Sequence, residues 1–154
     1  MKMPENLFVC GTLRSGLAPD EVAGLMQGML RIGTASVPGR LYDLGDYPGA
    51  VLDPNCDAKI IGEVFQLPGD AAVLAALDAY EGIDPQDSGD SLFVRREAEI
   101  TLEGGAKLQC WIYVYNRQVE SATLITSGDY LIYKQERWFN DAGGSGSENS
   151  GGRG

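Results

Sequence analysis

Short apolar runs alternate along the chain with turns marked by glycine and proline, and the period of each run separates strands from helices. Residues 7–10, Leu-Phe-Val-Cys, are apolar throughout and stop at Gly11, the pattern of a buried strand entering a turn. Over 20–30, Val22, Leu25, Met26 and Met29 recur at helical spacing, with Pro19 placed to start the helix. Residues 32–37 read as a second strand, and 39–51 as a turn-rich stretch between two short extended pieces. Residues 60–67 read as a strand interrupted by Gly62. Asp70 follows a Pro-Gly turn as the N-cap of a helix reaching about Tyr80, with Val73, Leu74, Leu77 and Tyr80 on one face.

That helix should stop at Gly82, and the polar residues 84–90 read as a loop. Two long strands are expected over 92–102 and 107–115, joined as a hairpin by Glu103-Gly104-Gly105. In the second of them Trp111, Tyr113 and Tyr115 face one way and Cys110, Ile112 and Val114 the other, so both faces should be covered. Residues 130–139 suit a short helix or an extended cover. From Asp141 the chain is rich in Gly and Ser with almost no apolar residue, a tail unable to offset its ordering entropy. One domain over 1–140 and a tail over 141–154 are therefore expected. Several strands with few helices and no βαβ alternation imply an α+β fold on a strongly curved mixed or antiparallel sheet, open to closure as a barrel.

Charge narrows the chemistry. The 22 acidic against 12 basic residues give a net charge of −10, and no basic stripe interrupts it, which argues against nucleic acid as a partner. No apolar run reaches the ~20 residues needed to cross a bilayer, and the polar start has no signal-peptide core. The 3 cysteines at irregular spacing give no disulfide framework, so a reduced, cytoplasmic setting is expected.

Histidine is absent, which removes Ser-His-Asp and Cys-His catalysis and histidine-ligated metal sites. With 3 scattered cysteines and no histidine, no metal site is expected. A carboxylate, Lys, Tyr, Cys or the substrate itself must move any proton. Glu81 falls where the helix ends, at the negative pole of the macrodipole, and apolar neighbours would raise its pKa as a general base requires; a solvated glutamate at a helix end fits the same spacing. The turn at Cys10-Gly11-Thr12-Leu13 offers backbone N–H groups able to hold an anion, or is a plain strand-to-helix turn. Cys10 suits a small buried hydrophobe better than a nucleophile, since no base neighbours it in sequence. Glu63 is expected to pair with Arg95 or Arg96, and Asp43 and Asp46 to cap their own turn.

Taken together, the motifs resemble the γ-glutamylcyclotransferase-like (AIG2-like) family. Val-Cys-Gly-Thr-Leu-Arg at 9–14 is similar to its strand-plus-Tyr-Gly-Ser/Thr-Leu motif, with Cys10 where the family usually has tyrosine. Gly-Arg-Leu-Tyr-Asp-Leu-Gly at 39–45, Tyr-Pro-Gly-Ala at 47–50, Gly-Glu-Val-Phe at 62–65, Leu-Asp-Ala-Tyr-Glu-Gly at 77–82, Phe-Val-Arg-Arg at 93–96 and Trp-Ile-Tyr-Val-Tyr at 111–115 follow in order, with Ser-Gly-Asp-Tyr at 127–130 beyond. The resemblance implies a small mixed β-barrel of about five to seven strands with flanking helices. It implies cleavage of a γ-glutamyl amine or peptide to 5-oxoproline and a free amine, without metal or cofactor. Glu81 would be the catalytic acid/base, and Cys10, Gly11, Thr12 and Leu13 the substrate loop. Two alternatives stay open: a non-catalytic metabolite-binding or interaction protein on the same fold, and removal of a γ-glutamyl protecting group within a biosynthetic pathway.

Overall fold

The computed structural model describes residues 4–14, 17–45, 47–83, 91–119 and 122–143, with only the helical backbone for 138–143. Five strands close a barrel. β1 (Asn6–Val9) lies between β4 (Lys59–Gln66), antiparallel to it, and β6 (Lys107–Tyr115), parallel to it. β6 continues into the antiparallel hairpin with β5 (Phe93–Leu102), and β4 pairs antiparallel with β2 (Leu30–Asp43). Pairing of Ala35 with Leu102 and of Ser36 with Thr101 joins β2 to β5 and seals the ring. The expected small mixed barrel with flanking helices is thus the observed architecture.

A far end of β2 serves a second purpose. It runs beyond the barrel to pair with β3 (Pro48–Leu52) and with β7 (Thr123–Ile125). The strand turns out of the ring at Gly39, where φ is +155° and an added Cβ would lie 2.5 Å from the Val51 carbonyl oxygen. Among the described residues there are three helices: α1 (Asp20–Gln27), α2 (Ala71–Tyr80) and α3 (Tyr130–Gly143).

Strand alternation feeds two cores. Phe8, Val64, Ile100, Cys110 and Ile112 point into the barrel. Leu7, Val9, Phe65 and Tyr113, one residue out of phase, point outward and are covered by Val22 and Met26 of α1 and Leu77 of α2. Being buried on both faces explains why β1 and β6 read as near-continuous apolar runs.

Several expectations change on detail. Gly62 does not interrupt its strand: β4 passes straight through it, because a Cβ there would stand 2.3 Å from the Val9 carbonyl oxygen and 2.7 Å from the Phe8 ring. The first helix ends at Gln27, and Leu30 already opens β2, which is far longer than the 32–37 stretch read from sequence. Residues 130–139 are helical, and α3 continues to Gly143; the tail beyond it and the 84–90 loop lie outside the described residues. Glu63 pairs with neither Arg95 nor Arg96: its partners include Arg31, at 2.9 Å, and Arg14, at 3.6 Å. Arg95 is taken by Asp78 instead. Asp43 does cap its turn, accepting from Gly45 N–H at 2.8 Å, while Asp46 falls outside the described residues.

Candidate active site

The C-terminus of α2 sets the position of Glu81. Gly82 takes φ +78°, a conformation that favours glycine. Its N–H then bonds Ala79 O at 3.1 Å and that of Ile83 bonds Asp78 O at 3.0 Å, the paired bonds of a Schellman stop. Glu81 is the last residue before this reversal, so its side chain leaves the helix at the fixed end of a rigid element. At the other end of the helix Asp70 accepts from Ala72 N–H at 2.9 Å, the cap read from sequence.

Facing it is the turn that follows β1. Gly11 O accepts from Arg14 N–H at 3.0 Å, closing the turn over Thr12 and Leu13. Gly11 lies against β3: an added Cβ would come 2.8 Å from Pro48 Cγ. Beyond the turn Arg14 is buried, its guanidinium 2.8 Å from Asp129 Oδ1. Asp129 in turn accepts from Leu131 N–H and Ile132 N–H, capping α3.

Between these two elements lies a cavity of about 580 Å³. Cys10, Gly11, Thr12, Leu13 and Glu81, the five residues singled out from sequence, all line it. The rest of its wall includes Tyr47, Pro48, Tyr80, Phe93 and Tyr113, to which the sequence reading gave no role. Some of them belonged to motifs already noted, at 47–50 and 111–115, so the signal was present but mute about which side chains turn inward. Tyr80 and Thr12 bridge the two sides, their hydroxyl oxygens 2.9 Å apart.

Electrostatics separate the cavity's groups. Burial, reinforced by the nearby Asp78 charge, pushes Glu81 up to about 7. A carboxyl at that value both accepts and returns a proton near neutrality. Cys10 moves the other way from reactivity: burial, then the Glu81 charge, lift its thiol to about 12 against a partial opposing pull from Arg14. It is a neutral thiol and a poor nucleophile. Tyr113 is raised by burial and by its 2.7 Å hydrogen bond to Asp78 Oδ1, and so remains a neutral phenol. Among the described residues no cluster of three or more Cys, Asp or Glu side chains is arranged to hold a metal, and no helix is long and apolar enough to cross a membrane.

Comparison with known proteins bears on the family and the fold. Residues 7–132 match the family described as gamma-glutamyl cyclotransferase, AIG2-like. The gamma-glutamylcyclotransferase family protein ytfP of Citrobacter rodentium is 36% identical over 127 residues, covering 82% of this chain and 95% of that one. The solution structure of ytfP from Escherichia coli superposes with a TM-score of 0.57 at 32% identity, over 84% of this chain and 98% of that one. YkqA from Bacillus subtilis shares the fold at a TM-score of 0.66 and 23% identity; this chain covers 43% of that longer protein. The chain belongs to the AIG2-like gamma-glutamyl cyclotransferase family.

Proposed function

We propose that the protein cleaves a γ-glutamyl amide to 5-oxoproline and a free amine, with Glu81 as the proton carrier and the 10–13 turn as the substrate cradle. The observation that carries this reading is Glu81 itself: a carboxyl raised to about 7 in the wall of a cavity, within a chain that has no histidine. Membership of the family supports the choice of reaction.

The substrate brings its own nucleophile. Its α-amino nitrogen is tethered to the γ-carbonyl, an arrangement worth a large effective concentration. Glu81 takes a proton from the α-ammonium, and the freed amine attacks the γ-carbonyl carbon. As the carbon–nitrogen bond to the leaving amine breaks, Glu81 gives that proton to the leaving nitrogen, then takes the second proton from the ring nitrogen and passes it on to the released amine, which departs as ammonium. The net change is ring closure and amine release, with the proton returned and no covalent enzyme intermediate. Backbone N–H groups of the Gly11–Leu13 turn hold the α-carboxylate or the developing oxyanion, a task that does not depend on the side chain at position 10.

The test is 5-oxoproline release from γ-glutamyl dipeptides, γ-glutamyl-ε-lysine, glutathione and simple γ-glutamyl amides, with wild type and Glu81→Gln compared. Turnover that collapses in the variant is expected; full activity in Glu81→Gln sinks the assignment of the base.

A further inference from the structure

Two elements of the cavity wall, the turn after β1 and the start of β3, are each bonded to α3, a helix outside the cavity. We infer, resting on the reaction proposed above, that α3 braces the site: Asp129 and Tyr133 are positioning residues that set the 11–14 turn against β3.

The brace is itself fixed to the barrel. Gly128, at φ +70°, lies so close to β4 that an added Cβ would run into the Lys59 carbonyl oxygen. Its own carbonyl accepts from Ile61 N–H at 2.8 Å. Asp129 then caps the helix, and Tyr130 is buried in the barrel core. From this start Asp129 and Tyr133 stand one helical turn apart, joined by the bond from Tyr133 N–H to Asp129 O at 3.0 Å.

Each reaches a different side of the cavity. Asp129 Oδ1 accepts from the Arg14 guanidinium at 2.8 Å, at the end of the 11–14 turn. The Tyr133 hydroxyl donates to Asp43 Oδ2 at 2.5 Å, and Arg137 donates to that hydroxyl at 3.2 Å. Asp43 is the cross-strand partner of Pro48, and the bond from Leu44 N–H to Tyr47 O closes the turn between them. Tyr47, Pro48 and Gly11 all line the cavity, and Gly11 lies against Pro48. None of Arg14, Asp43, Asp129 and Tyr133 lines it.

The contact between Gly11 and Pro48 cannot hold this spacing by itself, because proline has no N–H to donate across it. The bonds to α3 are directional, and each has a carboxylate as acceptor, which makes them the stronger restraint. A backbone cradle depends on such restraint, since a shift of about 1 Å at the reacting atoms costs on the order of 10²-fold in rate.

Tyr133→Phe tests the brace, keeping the ring and removing only the hydroxyl. With the full chain, kcat per folded enzyme is expected to fall roughly tenfold, with KM changed by less than about twofold, on the γ-glutamyl amide that wild type cleaves fastest. The amide NMR signals of Gly11 and Thr12 should shift in the same variant, which a helix merely loosened elsewhere would not cause. In an Asp43→Ala background the change to Phe should cost nothing further. Wild-type kcat in folded Tyr133→Phe overturns the inference and leaves the cyclotransferase reading intact. An equal loss in both backgrounds overturns it too, since the bond to Asp43 would then not be what acts. No 5-oxoproline from folded wild type rejects the reaction itself and the inference with it.

Discussion

Asp78 lies one helical turn before Glu81, and its negative charge helps hold Glu81 up to about 7. Asp78 is itself fixed by three bonds, two from Arg95 and one from the Tyr113 hydroxyl. A carboxylate so held acts as a stationary charge beside Glu81. Asp78→Asn should therefore shift the acid limb of the kcat/KM profile toward lower pH, because Glu81 would ionise more easily. The measurement is the pH-rate profile of 5-oxoproline release; an unmoved midpoint in a folded variant would rule out the coupling.

Glu81 should also cost stability. Its folded value of about 7 lies above the ordinary 4.5, so the folded state binds more protons between those values and stability falls as pH rises through that window. Glu81→Gln removes the penalty. The variant is expected to be inactive yet more stable than wild type by about 1–3 kcal/mol at pH 8, with the advantage fading toward pH 4.5. Urea unfolding of both proteins at the two pH values checks it, and a variant less stable at pH 8 would contradict it.

Gly11 is a space requirement. A methyl group there meets Pro48 Cγ at 2.8 Å, so Gly11→Ala must move the turn and the Pro48 ring apart. Displacement on that scale should lower kcat/KM by about 10²-fold, with the fold retained by circular dichroism. Wild-type kinetics in the alanine variant would show that the turn does not touch the substrate.

Cys10 should resist alkylation. Its thiol is buried and lifted to about 12, whereas Cys56 is partly exposed. Brief iodoacetamide treatment at pH 7.5, read by peptide mass spectrometry, is expected to label Cys56 and spare Cys10 and Cys110, leaving turnover unchanged. Preferential labelling of Cys10 would reopen its role as a nucleophile.

Local pattern carried much of this site. A single glycine after a helical run located the end of α2 and put Glu81 there, and the apolar run at 7–10 located the strand that leads into the 10–13 turn. What local pattern lacked was partner choice. Glu63 and Arg95 both needed counter-ions, but which cation meets which carboxylate depends on strands brought together by ring closure; Asp78 is 17 residues from Arg95 and 35 from Tyr113. β7 is only 3 residues long, too short to show a period. Gly62 reads as a strand breaker until the Phe8 ring is placed beside it.

The bond from Arg14 to Asp129 spans 115 positions, and that separation fixes an order of events during synthesis. β1 and the cradle turn leave the ribosome early, but the residue that anchors Arg14 emerges after the whole barrel has been made. Until then the turn lacks its tether, and the guanidinium lacks its closest carboxylate. The cavity wall, drawn from residues between Phe8 and Tyr113, is therefore all in the chain before the carboxylate that anchors the turn beside it.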